Sequence, residues 1–315
     1  MILITGGLGF IGLHAARCFL DAGENVVLTQ YRVRREPDFL KDELGKRAFV
    51  ERLDVTSAYD MIDLVRKHKP TGIVHLAVPT LNLLSAAEDY RVNMTGFINI
   101  LEAARLSDVK RVGIASSIGV YGSLPAGPFR EDALLPVESV NPTETFKKAM
   151  EITGMHYASR TGLEVIMLRI GSPYGPLYHS GAAPTSRICH AAAKGIAVDF
   201  KGARGGAPHE DDEVGAFYIK DCGAAIQRLQ MAEKLPHKIY NIGGDTGIKY
   251  REFAAAVRKA APNTQINLQP GNGPRHRPNA YLDISRIKKD VGYEPKYDLE
   301  RGVAEYIDWL KNHPE

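Results

Sequence analysis

The stretch Thr5-Gly-Gly-Leu-Gly-Phe-Ile-Gly12 stands between an apolar run over residues 1–5 and a helix-period pattern over residues 10–22. Glycines at 6, 9 and 12 let a chain turn tightly, let its backbone approach a pyrophosphate, and let a helix lie close on a strand. The first N–H groups of the helix then face the phosphate charge. In this strand–turn–helix setting the spacing points to a dinucleotide, with Gly6, Gly9, Phe10, Ile11 and Gly12 as its contacts.

Outward from that turn, apolar runs and helical patterns alternate. Strand-like runs cover 25–29, 48–53, 72–77, 111–117 and 164–170, with helices over 59–68, 86–106 and from Pro142 onward. Buried strands joined by helices imply an α/β fold, a Rossmann-like doubly wound parallel sheet. After residue 170 the pattern is less regular, with a strand-like run at 238–243 and helices over 250–260 and 299–311. We expect a dinucleotide-binding domain over 1–170 with returning segments near 214–245. A smaller C-terminal substrate lobe is expected over 171–213 and 246–315.

Composition excludes several classes of function. The 315 residues carry 44% hydrophobic side chains, enough for a full core, and a formal charge of only +3. No long basic run calls for nucleic acid. The three cysteines, Cys18, Cys189 and Cys222, are scattered, which argues against a disulfide framework or thiolate metal site and suits a reducing compartment. No apolar run reaches a membrane-spanning length, and with a strand-like run from the first residue we expect no leader. A cytoplasmic protein with a small-molecule substrate, no nucleic acid, no membrane and no metal is the expectation.

The second strand bears on the cofactor. NAD-binding folds place an acid at its end for the ribose hydroxyls. Here Leu28-Thr-Gln-Tyr-Arg-Val-Arg-Arg35 has no acid before Glu36; Thr29 or Gln30 takes the position and Arg32 follows. Arginine can clamp a 2′-phosphate, so NADP is favoured, with NAD the alternative. Asp54 closes the third strand, placed to touch an adenine or to cap the next helix.

Further segments carry a resemblance. They include His75-Leu-Ala77, Asn93-Met-Thr-Gly96, Ser116-Ser-Ile-Gly-Val-Tyr-Gly122, Leu168-Arg-Ile-Gly-Ser-Pro-Tyr-Gly-Pro176, Tyr218-Ile-Lys-Asp221 and Tyr240-Asn-Ile-Gly243. In this order, and over nearly the whole chain, they resemble the extended short-chain dehydrogenase/reductase family of NAD(P)-dependent nucleotide-sugar epimerases and dehydratases. The resemblance implies Val55, Leu76, Ala77, Asn93 and Lys147 as cofactor contacts, and Val78, Ser117, Ile118 and Ser172 as substrate contacts. It also implies a homodimer built through two long helices of each subunit.

The family's catalytic set is a Ser or Thr after the fifth strand plus Tyr-x-x-x-Lys on the next helix. Aligned on the segments above, Ser117 is the serine and Lys147 the lysine, and Thr143 holds the tyrosine position. Phe146 replaces a small residue. A lysine ammonium holds the nicotinamide ribose and lowers a tyrosine pKa from about 10. An aliphatic hydroxyl is a far weaker acid than that phenol. Three readings stay open. Ser117, Thr143 and a water relay protons; or another group does, Tyr174 first, then Tyr121 and His179; or the protein binds a dinucleotide without turning over. Lys148 is the natural solvated neighbour of Lys147.

The substrate lobe also departs from the pattern. His209-Glu-Asp-Asp-Glu213 precedes Tyr218, and four acids would repel a diphosphate unless compensated. As a metal site it lacks ligand spacing, and a solvated acidic loop is favoured. Arg275-His-Arg277 stands where the family often places a phosphate-binding arginine. His209, Arg275 and Arg277 are therefore candidate substrate contacts. The expected activity is hydride transfer on a sugar, nucleotide sugar or other small carbinol or carbonyl, through an atypical acid/base site. The alternative is a non-catalytic NAD(P)-dependent binding protein.

Overall fold

Strand alternation builds the centre of the molecule. In a computed structural model that describes residues 1–31, 38–78, 84–178 and 180–313, seven strands form one parallel sheet. They are β1 (Ile2–Thr5), β2 (Val26–Gln30), β3 (Ala48–Arg52), β4 (Gly72–His75), β5 (Arg111–Ser117), β6 (Glu164–Ile170) and, after three short strands placed below, β10 (Ile239–Ile242). Their order is β10-β6-β5-β4-β1-β2-β3. The chain steps one way from β1 to β3 and then crosses to β4, so the switch point lies beside β1, where the glycine turn begins.

Side chains of each strand point alternately to two cores. Ile2 and Ile4 enter one and Leu3 the other; Ile166 and Leu168 oppose Val165 and Met167 in the same way. Helices α1 (Phe10–Asp21) and α7 (Ile219–Met231) cover the first face, and α2 (Ala58–His68), α4 (Gly96–Arg105) and α5 (Pro142–Thr161) the second. Arg111 closes the C-terminus of α7 by donating to the carbonyls of Leu229, Gln230 and Ala232 at 2.7–3.0 Å.

The helix expected over 86–106 is interrupted. A short α3 (Ala86–Tyr90) runs into a π turn over Arg91–Thr95 before α4. Asn93 Nδ2 donates to Asp89 O and Oδ1 at 2.8 and 3.0 Å, so a side chain enters the backbone ladder.

A third core forms in the second lobe. Helices α6 (Pro184–Lys194), α8 (Tyr250–Ala260) and α10 (Leu299–Asn312) bury Ile188, Phe253, Val257, Tyr306 and Ile307 there. Two small pairs lie outside the main sheet: β7 (Ser172–Tyr174) with β9 (Ala216–Tyr218), and β8 (Glu213–Val214) with β11 (Ile248–Lys249). Asp221 accepts the N–H groups of Lys296 and Tyr297 at 2.9 and 3.1 Å, and Tyr218 donates to Glu305 of α10 at 2.7 Å. The motif around Tyr218 is thus a joint between lobes. Helix α9 (Ser285–Val291) packs beside β10 on the first core. Periodicity did not reveal α6, α7 and α9, which follow glycine- and proline-rich segments.

Candidate active site

The turn after β1 is shaped by what cannot fit in it. Gly6 has φ +66°, and a Cβ there would lie 3.0 Å from the Ala77 backbone. A Cβ on Gly12 would lie 2.7 Å from Gly7 Cα, so α1 rests directly on the turn. Gly9 N–H donates to Gly6 O at 3.0 Å. Among the described residues the N–H groups of Phe10, Ile11 and Gly12 have no backbone acceptor, and the first turn of α1 carries no acid. Such a helix start fits a phosphate-bearing dinucleotide.

Behind the turn, Thr29 is buried and its hydroxyl receives Gly6 N–H at 3.3 Å, so it supports the turn from beneath. Thr5 Oγ1 pairs with His75 Nδ1 at 2.7 Å and receives Ala77 N–H at 3.4 Å, fixing Leu76 and Ala77 beside Gly6. Burial, with the Lys147 charge adding to it, pushes the His75 imidazole down to about 3. Asp54 accepts the Thr56 N–H and hydroxyl at 2.9 and 2.8 Å, and Val55 O accepts from Asn99 at 2.9 Å. Arg32 and His179 lie outside the described residues.

At the end of β5, Ser117 and Thr143 flank Gly119. A Cβ on that glycine would lie 3.2 Å from Ser117 Oγ and 3.4 Å from Thr143 Cγ2. Ser117 Oγ accepts Gly119 N–H at 3.0 Å, leaving its own proton to donate outward. Asn141 caps α5 by accepting Glu144 N–H at 3.0 Å, with Pro142 at the first helical position. One turn on, buried Lys147 donates to Ala115 O at 2.6 Å. Burial pushes its ammonium down to about 8, opposed by Glu151. Phe146 packs on Tyr90 with ring centroids 6.0 Å apart. Half-buried Ile118 follows Ser117, and Val78, three residues past β4, is 55% exposed.

Tyr174 is a correction. It lies in the second-lobe core, its ring against Tyr218 and Phe253 and its hydroxyl turned to Leu299 O at 3.4 Å. Burial raises its phenol well above the ordinary value. The structure does not bring it to Ser117, Thr143 and Lys147. Tyr121 is likewise engaged: it donates to Asn241 at 2.9 Å, accepts from Arg169 at 2.6 Å, and burial pushes it up to about 12.

The remaining candidate substrate contacts divide. Arg277 spends one guanidinium nitrogen on the carbonyls of Tyr121, Gly122 and Leu124 at 3.0–3.3 Å and lies 5.1 Å over Phe129, a structural use the sequence did not reveal. Arg275 is exposed beside Gly205 and Gly206. The acidic loop is pinned, which corrects the solvated reading. Asp212 accepts the N–H groups of His209 and Gly273 at 2.8 and 2.9 Å, Asp211 pairs with Arg251 at 2.6 Å, and Glu213 accepts from Ala280 at 3.3 Å. Ser172 is half-buried, with its N–H on Gly215 O at 3.4 Å. Among the described residues no group of three or more His, Cys, Asp or Glu is placed to hold a metal ion, and no helix is long and apolar enough to cross a membrane.

A glycine cradle at a switch point, next to a Ser–Thr–Lys group on the following strand and helix, invites comparison with known proteins. A family model described as the NAD dependent epimerase/dehydratase family matches residues 2–243. The chain belongs to that family. A UDP-glucose 4-epimerase of Mycolicibacterium smegmatis is 28% identical over 323 residues, covering 98% of each chain. The UDP-glucose 4-epimerase of Thermus thermophilus, solved in complex with NAD, is 25% identical with a TM-score of 0.78 over 99% of each chain. The Thermotoga maritima UDP-glucose 4-epimerase, at 21% identity, shares the fold with a TM-score of 0.83, over 100% of this chain and 99% of that one.

Within this epimerase/dehydratase frame, the sequence missed Glu144 and misread Lys148. Lys148 is not solvated. It donates to the carbonyls of Pro136 and Glu138 at 2.6 and 2.8 Å and pairs with Glu144 at 2.7 Å. Glu144, fully buried, also accepts from Val140 N at 2.9 Å and from Ser123 N and Oγ at 3.2 and 2.7 Å. Together they clamp the loop before α5 to the turn after Ser117. The Glu-to-Lys spacing of four was the available signal.

Proposed function

We propose that this epimerase/dehydratase family member transfers hydride at a carbinol or carbonyl carbon of a sugar, nucleotide sugar or other small molecule. Its proton is handled by hydroxyls instead of a phenol. The observation that carries this reading is that Ser117 and Thr143 flank Gly119, with Lys147 one turn away and the glycine cradle alongside. When bound, the nicotinamide supplies reversible hydride acceptance. Lys147 orients the ribose through its ammonium; Ser117 donates to the reacting oxygen; Thr143 holds a water that carries the proton away. Residues 1–170 with 214–245 serve the cofactor, and 171–213 with 246–315 serve the substrate, Arg275 and His209 at its rim.

For the cofactor we favour NADP over NAD. The described end of β2 offers Thr29 and Gln30 and no carboxylate, and Arg32 follows. The Thermus relative was solved with NAD, which keeps NAD as the alternative. We further read the chain as a cytoplasmic homodimer joined through α4 and α5, where Ile98 and Ile152 are exposed. The absent phenol favours one other reading, a dinucleotide-dependent binding protein without turnover. Calorimetry with NADPH and NADH, followed by turnover assays on nucleotide sugars, free sugars and aromatic alcohols, tests the cofactor and the activity. Tighter NADPH binding that is lost in Arg32→Ala, with turnover of one substrate class, is the expected result. Equal affinities refute the cofactor choice, and bound cofactor without turnover on any class favours the binder.

A further inference from the structure

The segments Ser116-Ser117, Lys147-x-x-x-Glu151 and Leu168-Arg169 leave three residues that the chemistry above does not use, and the structure joins them. Glu151, buried on α5 one turn past Lys147, accepts Ser116 Oγ at 2.5 Å and both Nε and an Nη of Arg169 at 2.9 and 2.7 Å. Arg169 is buried on β6 and continues to Tyr121 at 2.6 Å, in the turn after Ser117. Helix α5 therefore meets β5 at consecutive residues, Lys147 on the Ala115 carbonyl and Glu151 on the Ser116 hydroxyl, and Ser117 comes next.

We propose that Glu151 is the positioning residue for Lys147, its carboxylate pinned by Ser116 and Arg169 so that it holds both the register of α5 on β5 and the charge of the ammonium. A bidentate arginine fork fixes a carboxylate in direction as well as distance. An anion one helical turn away favours the charged amine against its burial. Two other groups bear on the balance. His75 on β4, which the Lys147 charge reaches, stays neutral, and Arg169 on β6 is engaged by Glu151 and by Tyr121. Glu151 is thus the anion that works on Lys147, and this agrees with its opposing the downward push of burial on that amine.

The inference rests on the reading that Lys147 orients the ribose, and the test separates the two. In the cofactor-free protein, the titration midpoint of Lys147 is read by NMR of ¹³C-labelled lysine, assigned with Lys147→Met. NADH binding is followed in parallel by fluorescence against pH. In Glu151→Gln the midpoint should fall by about one pH unit, and NADH binding should be lost at correspondingly lower pH. Glu151→Asp, which keeps the charge, should retain most of the wild-type profile. Arg169→Lys loosens the fork without removing charge and should lower the midpoint, by less than Glu151→Gln does. An unchanged midpoint in Glu151→Gln, or an unchanged or higher one in Arg169→Lys, overturns the proposal. If Glu151→Gln does not fold, the Asp and Lys variants decide by the same criteria. NADH binding that survives in Lys147→Met overturns the ribose reading instead, leaving the midpoint result intact.

Discussion

At the scale of single residues, the exchange at position 143 and the buried pair beside it make opposite demands. Thr143 is half-buried against Gly119, in front of Ser117, in a pocket whose helix also carries the Phe146–Tyr90 contact. A tyrosine there would fill space shaped around the smaller side chain. Thr143→Tyr should lower turnover at least about tenfold; a gain approaching the 10²–10⁴ typical of a restored general acid–base would show that the pocket had merely lost its phenol. Lys148 now cannot serve as a silent control for Lys147. Lys148→Met leaves Glu144 buried without its cation and should cost about 3 kcal/mol of stability, read by urea unfolding, while NADH affinity is retained. Lys147→Met should do the reverse, losing NADH with a smaller change in stability. The grouping of Ser117, Thr143 and Lys147 was legible in the sequence because the motifs fix spacing along one strand and one helix. The clamp was not, because a loop's path from Pro136 to Val140 depends on hydrogen bonds that no periodicity encodes. Tyr174 and Arg277 were misread for a related reason. Chain position placed them after the right strands, but burial, in the aromatic core for one and against backbone carbonyls for the other, decided where they point.

At the scale of elements, the glycine turn and α1 behave as one piece. Gly12 touches Gly7 through backbone alone, and backbone cannot step aside as a side chain can. Gly12→Ala should therefore shift α1 off the turn, destabilising the protein by about 1–3 kcal/mol and weakening dinucleotide binding at least about tenfold by calorimetry. Full affinity in that variant would mean that the helix start does not hold the phosphate. Most of the sheet was readable because a parallel strand buried on both faces is a short, uninterrupted apolar run. The break in the helix over 86–106 was not, since Asn93 is an ordinary helix residue until its amide finds Asp89. Helix α7 was hidden by its own start: the Tyr218-Ile-Lys-Asp221 segment reads as a motif, and its role as a joint appears only when Asp221 meets the chain at residues 296 and 297.

At the scale of the whole molecule, two buried imidazoles make stability depend on pH. Burial, partly offset by a hydrogen bond with Pro176 O, pushes His14 down to about 4, and burial pushes His75 down to about 3. Both are neutral when folded and gain a proton on unfolding below the ordinary value near 6.5. Their contribution is complete above that value and is lost as pH falls toward 4, at about 2.7 kcal/mol per pH unit for the pair. Urea unfolding at pH 7, 6 and 5 should show the slope, and His14→Asn with His75→Asn should flatten it. An equal slope in the double variant would place the acid sensitivity elsewhere.

The return of the chain to the sheet also governs how the protein can be made. Strand β10 is laid beside β6 only after much of the second lobe has been synthesised, about seventy residues later in the chain. Until then a nascent chain presents β6, apolar on both faces, as an open sheet margin, the kind of surface that neighbouring chains on a polysome can capture. The same margin would remain on any fragment cut at the apparent lobe boundary. A stand-alone cofactor-binding piece of this protein therefore has to carry residues 239–242 with it, spliced on if need be, before it will stay in solution as a monomer.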